Sequence, residues 1–164
     1  MIRPLGPNDV HQFIQIRRDS FRYAPLSFQQ EPDVEIDIEK TRQDLAEKNE
    51  ENFVLGYFID EELVGIWGFY RYQPKKRRHR GYIWGVYVNK DHQGKGIGKA
   101  LIDECIARAR TLPGLERIIL TVSHQAPGAL RLYKSAGFVE FGREPGAART
   151  GDVPMDEIYL MLDL

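Results

Sequence analysis

The sequence has 164 residues, a net charge of −1 and 42% hydrophobic residues, the profile of one ordinary globular domain with a proper core. Near-neutral charge gives no global attraction to nucleic acid, and the single cysteine, Cys105, excludes an internal disulfide or a multi-cysteine zinc site. The opening stretch MIRPLGPNDVHQF lacks an apolar signal core and no run approaches membrane-span length, so a soluble cytoplasmic chain is expected.

In chain order, Ile2-Arg3 is expected as a short first strand and NDVHQFIQIRRDSF as a helix. Val10, Phe13, Ile14, Arg17 and Phe21 share one face of that helix, and Asn8 or Asp9 is placed to cap its start. The acidic stretch EPDVEIDIEKTRQDLAEKNEEN carries a second helix from about Asp37. FVLGYFI and LVGIWGFYRY flank DEE and read as a hairpin, QPKKRRHRG reads as a loop, and YIWGVYV is a strand apolar on both faces and therefore central. A glycine-rich run follows, then a helix with Ile97, Leu101, Cys105 and Ala109 at helical spacing. RIILTV is a buried strand, and PGALRLYKSAGF is a short helix that Gly137 terminates. FVEFG and EIYLMLDL are the closing strands, separated by a loop, REPGAARTGDVP. The order β-α-α-β-β-β-α-β-α-β-β is a mixed α/β (α+β) pattern in a single domain over residues 1–164.

The glycines of Gln93-Gly94-Lys95-Gly96-Ile97-Gly98 lie between a strand and a helix. The first N–H groups of a helix have no intrahelical partner, and the helix dipole adds partial positive charge there. Glycine lets a bulky anion approach those donors, so a phosphate or pyrophosphate is the natural guest. Two phosphate loops fail against the letters. A Walker A loop ends in Gly-Lys-Ser/Thr, but Ala100 follows Lys99 and Gln93 stands where its first glycine belongs. The dinucleotide pattern G-x-G-x-x-G would place its third glycine at Lys99 or Leu101.

The run instead matches Q/R-x-x-G-x-G/A and resembles the pyrophosphate loop of the GCN5-related N-acetyltransferase (GNAT) superfamily. The segment RIILTVSHQAPGALRLYKSAGFVEFG is similar to that family's strand, splayed loop, A-x-x-LY helix and GF turn, and DEIYLMLDL to its closing strand. The resemblance spans nearly the whole chain. It implies a mixed, mostly antiparallel sheet with a splayed strand pair, flanked by about four helices. It also implies acetyl-CoA as co-substrate, no metal, and transfer of acetyl to a primary amine of a small molecule or protein by direct attack in a ternary complex. By position, Val86 would receive the thioester oxygen and Val88 the pantetheine, with Tyr87 between them. Gln93, Gly94, Lys95, Gly96, Ile97, Gly98 and Lys99 would surround the pyrophosphate.

Tyr133 matches the family tyrosine that protonates the leaving thiolate, and a phenol with an ordinary pKa of ~10 is a competent donor at neutral pH. The base is open. Relatives carry a glutamate early in the strand before the loop, where this chain has Tyr82, and no Asp or Glu lies between Gly81 and Val88. His124, after RIILTVS, and His79, at the start of the Tyr82 strand, are candidates, and ordered water is a third route. The asparagine that relatives place near the cofactor is Ala126 here. The run Lys75-Lys76-Arg77-Arg78-His79-Arg80 suits the 3′-phosphate of CoA or an acidic acceptor, and the acidic stretch from Glu31 to Glu51 suits a cationic amine. No aromatic platform interleaves with the basic run, so nucleic acid is a poor partner. Membrane contact is not expected, and a homodimer is compatible with the sequence. Cys105 reads as a buried core residue. The rival reading is a non-catalytic acyl-CoA sensor or interaction module, kept open by Tyr82 and Ala126.

Overall fold

The computed structural model describes residues 1–25 and 33–164, so Glu31 of the acidic stretch lies outside the described residues. Eleven main elements follow one another: β1 (Ile2–Pro4), α1 (Val10–Tyr23), α2 (Ile38–Ala46), β2 (Asn52–Ile59), β3 (Glu62–Arg71), β4 (Arg80–Val88), α3 (Ile97–Thr111), β5 (Arg117–Ser123), α4 (Pro127–Ser135), β6 (Val139–Thr150) and β7 (Val153–Asp163). The strands form one seven-stranded sheet in the order β1-β2-β3-β4-β5-β7-β6. All neighbours are antiparallel except β4 and β5, as the mixed topology anticipated.

Alternation along the strands sends side chains to two cores. Trp67, Phe69, Ile83, Leu120 and Leu160 pack with Leu101, Cys105 and Tyr133 on the α3/α4 face. Val54, Ile66 and Tyr87 pack with Val10, Ile14 and Leu45 on the α1/α2 face. Cys105 is fully buried, and that burial pushes its thiol up to about 12, so it serves as a small core residue. Asp37 caps α2 by accepting from the Lys40 N–H at 2.9 Å. Asp9 stands at the N-cap of α1, but its carboxylate turns back to accept from Gly6 N–H at 2.8 Å and from Arg3 at 2.7 Å. The Arg3 hydrogen bond, stronger than the opposing effect of burial, holds the Asp9 carboxyl below its usual range.

Two sequence expectations change. The stretch REPGAARTGDVP is not an open loop. β6 runs to Thr150 and β7 starts at Val153, with the turn at Gly151, whose φ is 59°. An irregular register between Glu144 and Ala148 absorbs the Pro and Gly residues that made it look like a loop. The basic run 75–78 is a short 3-10 turn between β3 and β4, tied to the acidic stretch by Glu51. Glu51 accepts from Arg71 Nη1 at 2.9 Å and from Arg78 Nη2 at 2.7 Å, while buried Arg71 also donates to the carbonyls of Arg78 and Pro113. Burial acts against ionisation of Glu51, but the two arginines outweigh it and lower its pKa. The stability this contributes is present above the ordinary carboxylate value of 4.5 and lost as pH falls through the depressed one.

Close packing of β3 on β4 also depends on a missing side chain. Gly68 pairs with Trp84, and a Cβ there would lie 2.4 Å from the indole. Gly68→Ala is therefore expected to lower stability by ~1–3 kcal/mol in urea denaturation. Gly128→Ala, where a Cβ meets nothing within 4 Å, should lower it not at all.

Candidate active site

The parallel register of β4 and β5 lasts for three pairs, Arg80↔Arg117, Gly81↔Ile118 and Tyr82↔Ile119, and then the strands part. The parting is prepared on the other side of β4. Between the pairs Gly68↔Trp84 and Ile66↔Tyr87 the register to β3 shifts, at Gly85, whose φ is 62°. The positive φ calls for glycine, and a Cβ there would stand 3.0 Å from the Arg17 Nη1. Asn89 N–H donates to the Val64 carbonyl at 2.8 Å. Alternation then turns the amides of Tyr87 and Asn89 toward β3, and those of Val86 and Val88 into the gap.

The gap opens a cleft of about 870 Å³, walled by β4 on one side and by β5, α4 and β7 on the other. At its end the chain passes through Gln93 to Lys99. Gly94 and Gly96 have φ of 74° and 81°, and a Cβ on either would meet nothing within 4 Å, leaving the backbone open to a guest. Gly96 is the N-cap of α3. Ala100 N–H donates to the Gly96 carbonyl at 3.0 Å, so the amides of Ile97, Gly98 and Lys99 precede the helical ladder. Gly98 has a packing role as well, since a Cβ there would come within 3.0 Å of Leu132 Cδ2 on α4. Gln93 donates through Nε2 to the Val88 carbonyl at 2.9 Å, pinning the loop to the end of β4.

Of the residues singled out from the sequence, Val86, Tyr87, Val88, Gln93, Gly94, Gly96, Ile97, Gly98, Lys99 and Tyr133 line this cleft. Lys95 is exposed and is not part of the wall. Arg131 of α4, which the sequence did not single out, is part of it and adds a second cation to the wall with Lys99. Tyr133 is 5% exposed, with its ring edge-on to Trp67 at 5.8 Å and to Phe138 at 6.0 Å. Burial pushes its phenol above the ordinary tyrosine range, so the hydroxyl keeps its proton at neutral pH.

The histidines are placed differently. His79 lies at the paired end of β4, where its carbonyl accepts from Glu116 N–H at 2.8 Å, and it does not line the cleft. His124 is fastened to β7, its Nδ1 accepting from the Asp156 N–H at 2.9 Å, and it too is absent from the cleft wall. The acids of the cleft wall are Asp156 and Glu157, from β7, far along the chain from the glycine loop. Asp156 is engaged by Gly146 N–H at 2.9 Å and Arg143 Nε at 2.8 Å, which hold its carboxyl below the usual range. Tyr82, at the vertex, shares a 2.9 Å hydrogen bond with Thr121 Oγ1. The basic turn 75–78 lies at the opposite end of β4 from the glycine loop and is not part of the wall.

A family model described as the acetyltransferase (GNAT) family matches residues 10–138. The chain is 36% identical over 64 residues to a spermidine N(1)-acetyltransferase of Vibrio cholerae, covering 39% of this chain and 37% of that protein. It is 33% identical over 79 residues to the L-amino acid N-acyltransferase MnaT of Escherichia coli, covering 48% and 45% of the two chains. The matched stretch thus spans less than half the length of either relative. A solved phosphinothricin acetyltransferase from Sinorhizobium meliloti, in complex with AcCoA, shares the fold at a TM-score of 0.86 and 17% identity, covering 100% of this chain and 88% of that one.

The glycine loop presents open backbone to the cleft, whereas the basic turn does not line it. In NMR titration, inorganic pyrophosphate is expected to shift the amide resonances of Gly94, Gly96 and Ile97 to Lys99 and leave those of Lys75 to Arg78 in place. The opposite pattern would move the site to the β3–β4 turn.

Proposed function

The chain belongs to the GNAT acetyltransferase family, and from that premise we propose that it works as a single-domain enzyme, residues 1–164, moving acetyl from acetyl-CoA to a primary amine within a ternary complex. One observation carries the reading: the gap between β4 and β5 joins outward-facing strand amides, an open helix N-terminus and a buried protonated phenol in one cleft. The solved relative with AcCoA supports the co-substrate, and both curated relatives bear names of enzymes that acylate amines. A non-catalytic acyl-CoA module finds no such support. No helix among the described residues is long and apolar enough to cross a membrane, and a buried, unpaired Cys105 suits a cytoplasmic setting.

Acetyl-CoA would supply an activated acyl group with a thiolate leaving group. The chain's residues would supply the rest. The amides of Gly94 to Lys99, with Lys99 and Arg131 nearby, would hold the pyrophosphate. Val88 N–H would pair with the pantetheine as a neighbouring strand would. Val86 N–H would donate to the thioester oxygen and stabilise the oxyanion that forms on attack. Tyr133 would protonate the departing sulfur.

The phenol's elevated pKa fixes the sign of one pH effect. Tyr133 remains a proton donor throughout the neutral and mildly alkaline range, so its ionisation produces no falling limb in kcat below pH 10. Tyr133→Phe should lower kcat ~10²–10⁴-fold when chemistry limits the rate, with the calorimetric Kd for acetyl-CoA unchanged. Wild-type turnover in that variant would remove Tyr133 from the chemistry.

A further inference from the structure

The amine must lose protons, and β4 offers no carboxylate to take them. The sheet supplies one from another strand. In the β5–β7 register Thr121 faces Tyr159 and Ser123 faces Glu157. Ile158 and Leu160 point into the α3/α4 core, so Glu157 and Tyr159 occupy the other face. Tyr82 pairs with Ile119, two residues before Thr121, and its hydroxyl meets Thr121 Oγ1 at 2.9 Å on that same face. Tyr82, Thr121, Ser123 and Glu157 therefore form one polar patch at the vertex of the gap, and all four line the cleft with Tyr133.

We propose that Glu157, reaching this patch from β7, is the base that accepts the proton of the acceptor amine. The assignment rests on the acetyl-transfer reading above. Glu157 takes one proton from the acceptor ammonium and passes it to water, leaving a neutral nitrogen whose lone pair forms the new N–C bond at the thioester carbonyl. As the C–S bond breaks, Tyr133 gives its proton to sulfur and Glu157 takes the second proton from nitrogen. Transfer of that proton through water from Glu157 to Tyr133 restores both residues. The balance is an amide, free CoA thiol and one released proton.

The charged and titratable groups around Glu157 come from every neighbouring element. Tyr82 faces it from β4, and His124 follows its partner Ser123 on β5. Glu144 is opposite it on β6, where its carboxylate accepts from the Tyr159 hydroxyl, and Arg143 beside it binds Asp156. Asp156 and Tyr159 flank it along β7, and Arg17 of α1 lies across the cleft.

The test uses the full chain with whichever member of a primary-amine panel, spermidine and L-amino acids included, wild type acetylates fastest. Glu157→Gln should lower kcat/KM ~10²-fold or more at pH 7 while leaving the acetyl-CoA Kd and the melting temperature in place. The ratio of wild type to variant should shrink as pH rises toward 10, because solvent then takes the proton, and Glu157→Asp should recover part of the rate. His124→Ala should keep the wild-type pH profile. An unaltered rate in Glu157→Gln, a deficit constant across pH, or loss of the rising limb in His124→Ala instead would each overturn the assignment while leaving acetyl transfer intact. If wild type acetylates no member of a primary-amine panel, the transfer reading falls and takes this assignment with it.

Discussion

Everything in the site depends on where the pairing of β4 with β5 stops. Three registered pairs hold the strands together up to Tyr82, and beyond it each strand keeps its outer neighbour while losing the inner one. A sheet interior left with unpaired amides is costly unless a guest completes the ladder. The break is also enforced from outside. Gly85 adopts a positive φ and leaves room for the Arg17 guanidinium, which stacks over Trp84 at 5.8 Å and has its pKa lowered by burial to about 10. A bulge next to a half-buried cation accompanies the bent course of β4 that points the Val86 and Val88 amides into the cleft.

The same break sorts the chemistry by sheet face. Tyr133 belongs to the α3/α4 core and is surrounded by Trp67 and Phe138, an apolar setting that favours the neutral phenol. Tyr82, Thr121, Ser123 and Glu157 belong to the other face, where hydroxyls and a carboxylate meet the cleft. Burial keeps the Tyr133 phenol protonated, while Glu157 lies on the face that opens to the cleft. Away from the cleft, Arg71 and Arg78 close on Glu51, so that end of β4 is a structural clasp.

The glycine loop was legible because its residues answer a local demand: two positive-φ positions ahead of a helix start can be read from glycine alone. Tyr133 was legible through the LY…GF segment that surrounds it. The β6–β7 hairpin was not, since Pro145, Gly146 and Gly151 carry the composition of a loop and only pairing across the sheet keeps the stretch extended. Glu157 escaped for a related reason. Its place beside Ser123 is set by strand register across the splayed sheet, which no spacing along the chain encodes. His124 had the opposite fault: adjacent in sequence to cleft-lining Ser123, it spends its Nδ1 on the backbone of β7. In the basic run, the Arg78 pairing with Glu51 likewise depends on the fold and not on spacing along the chain.

The central claim, that the exposed edge of β4 is completed by acetyl-CoA, is tested most directly by residue-resolved amide hydrogen exchange with and without it. Tyr87 and Asn89 already face β3 and should change little. Val86 and Val88 should become protected by at least an order of magnitude when acetyl-CoA is present at saturating concentration. Unchanged exchange at Val86 and Val88 in a protein that demonstrably binds acetyl-CoA would contradict the account.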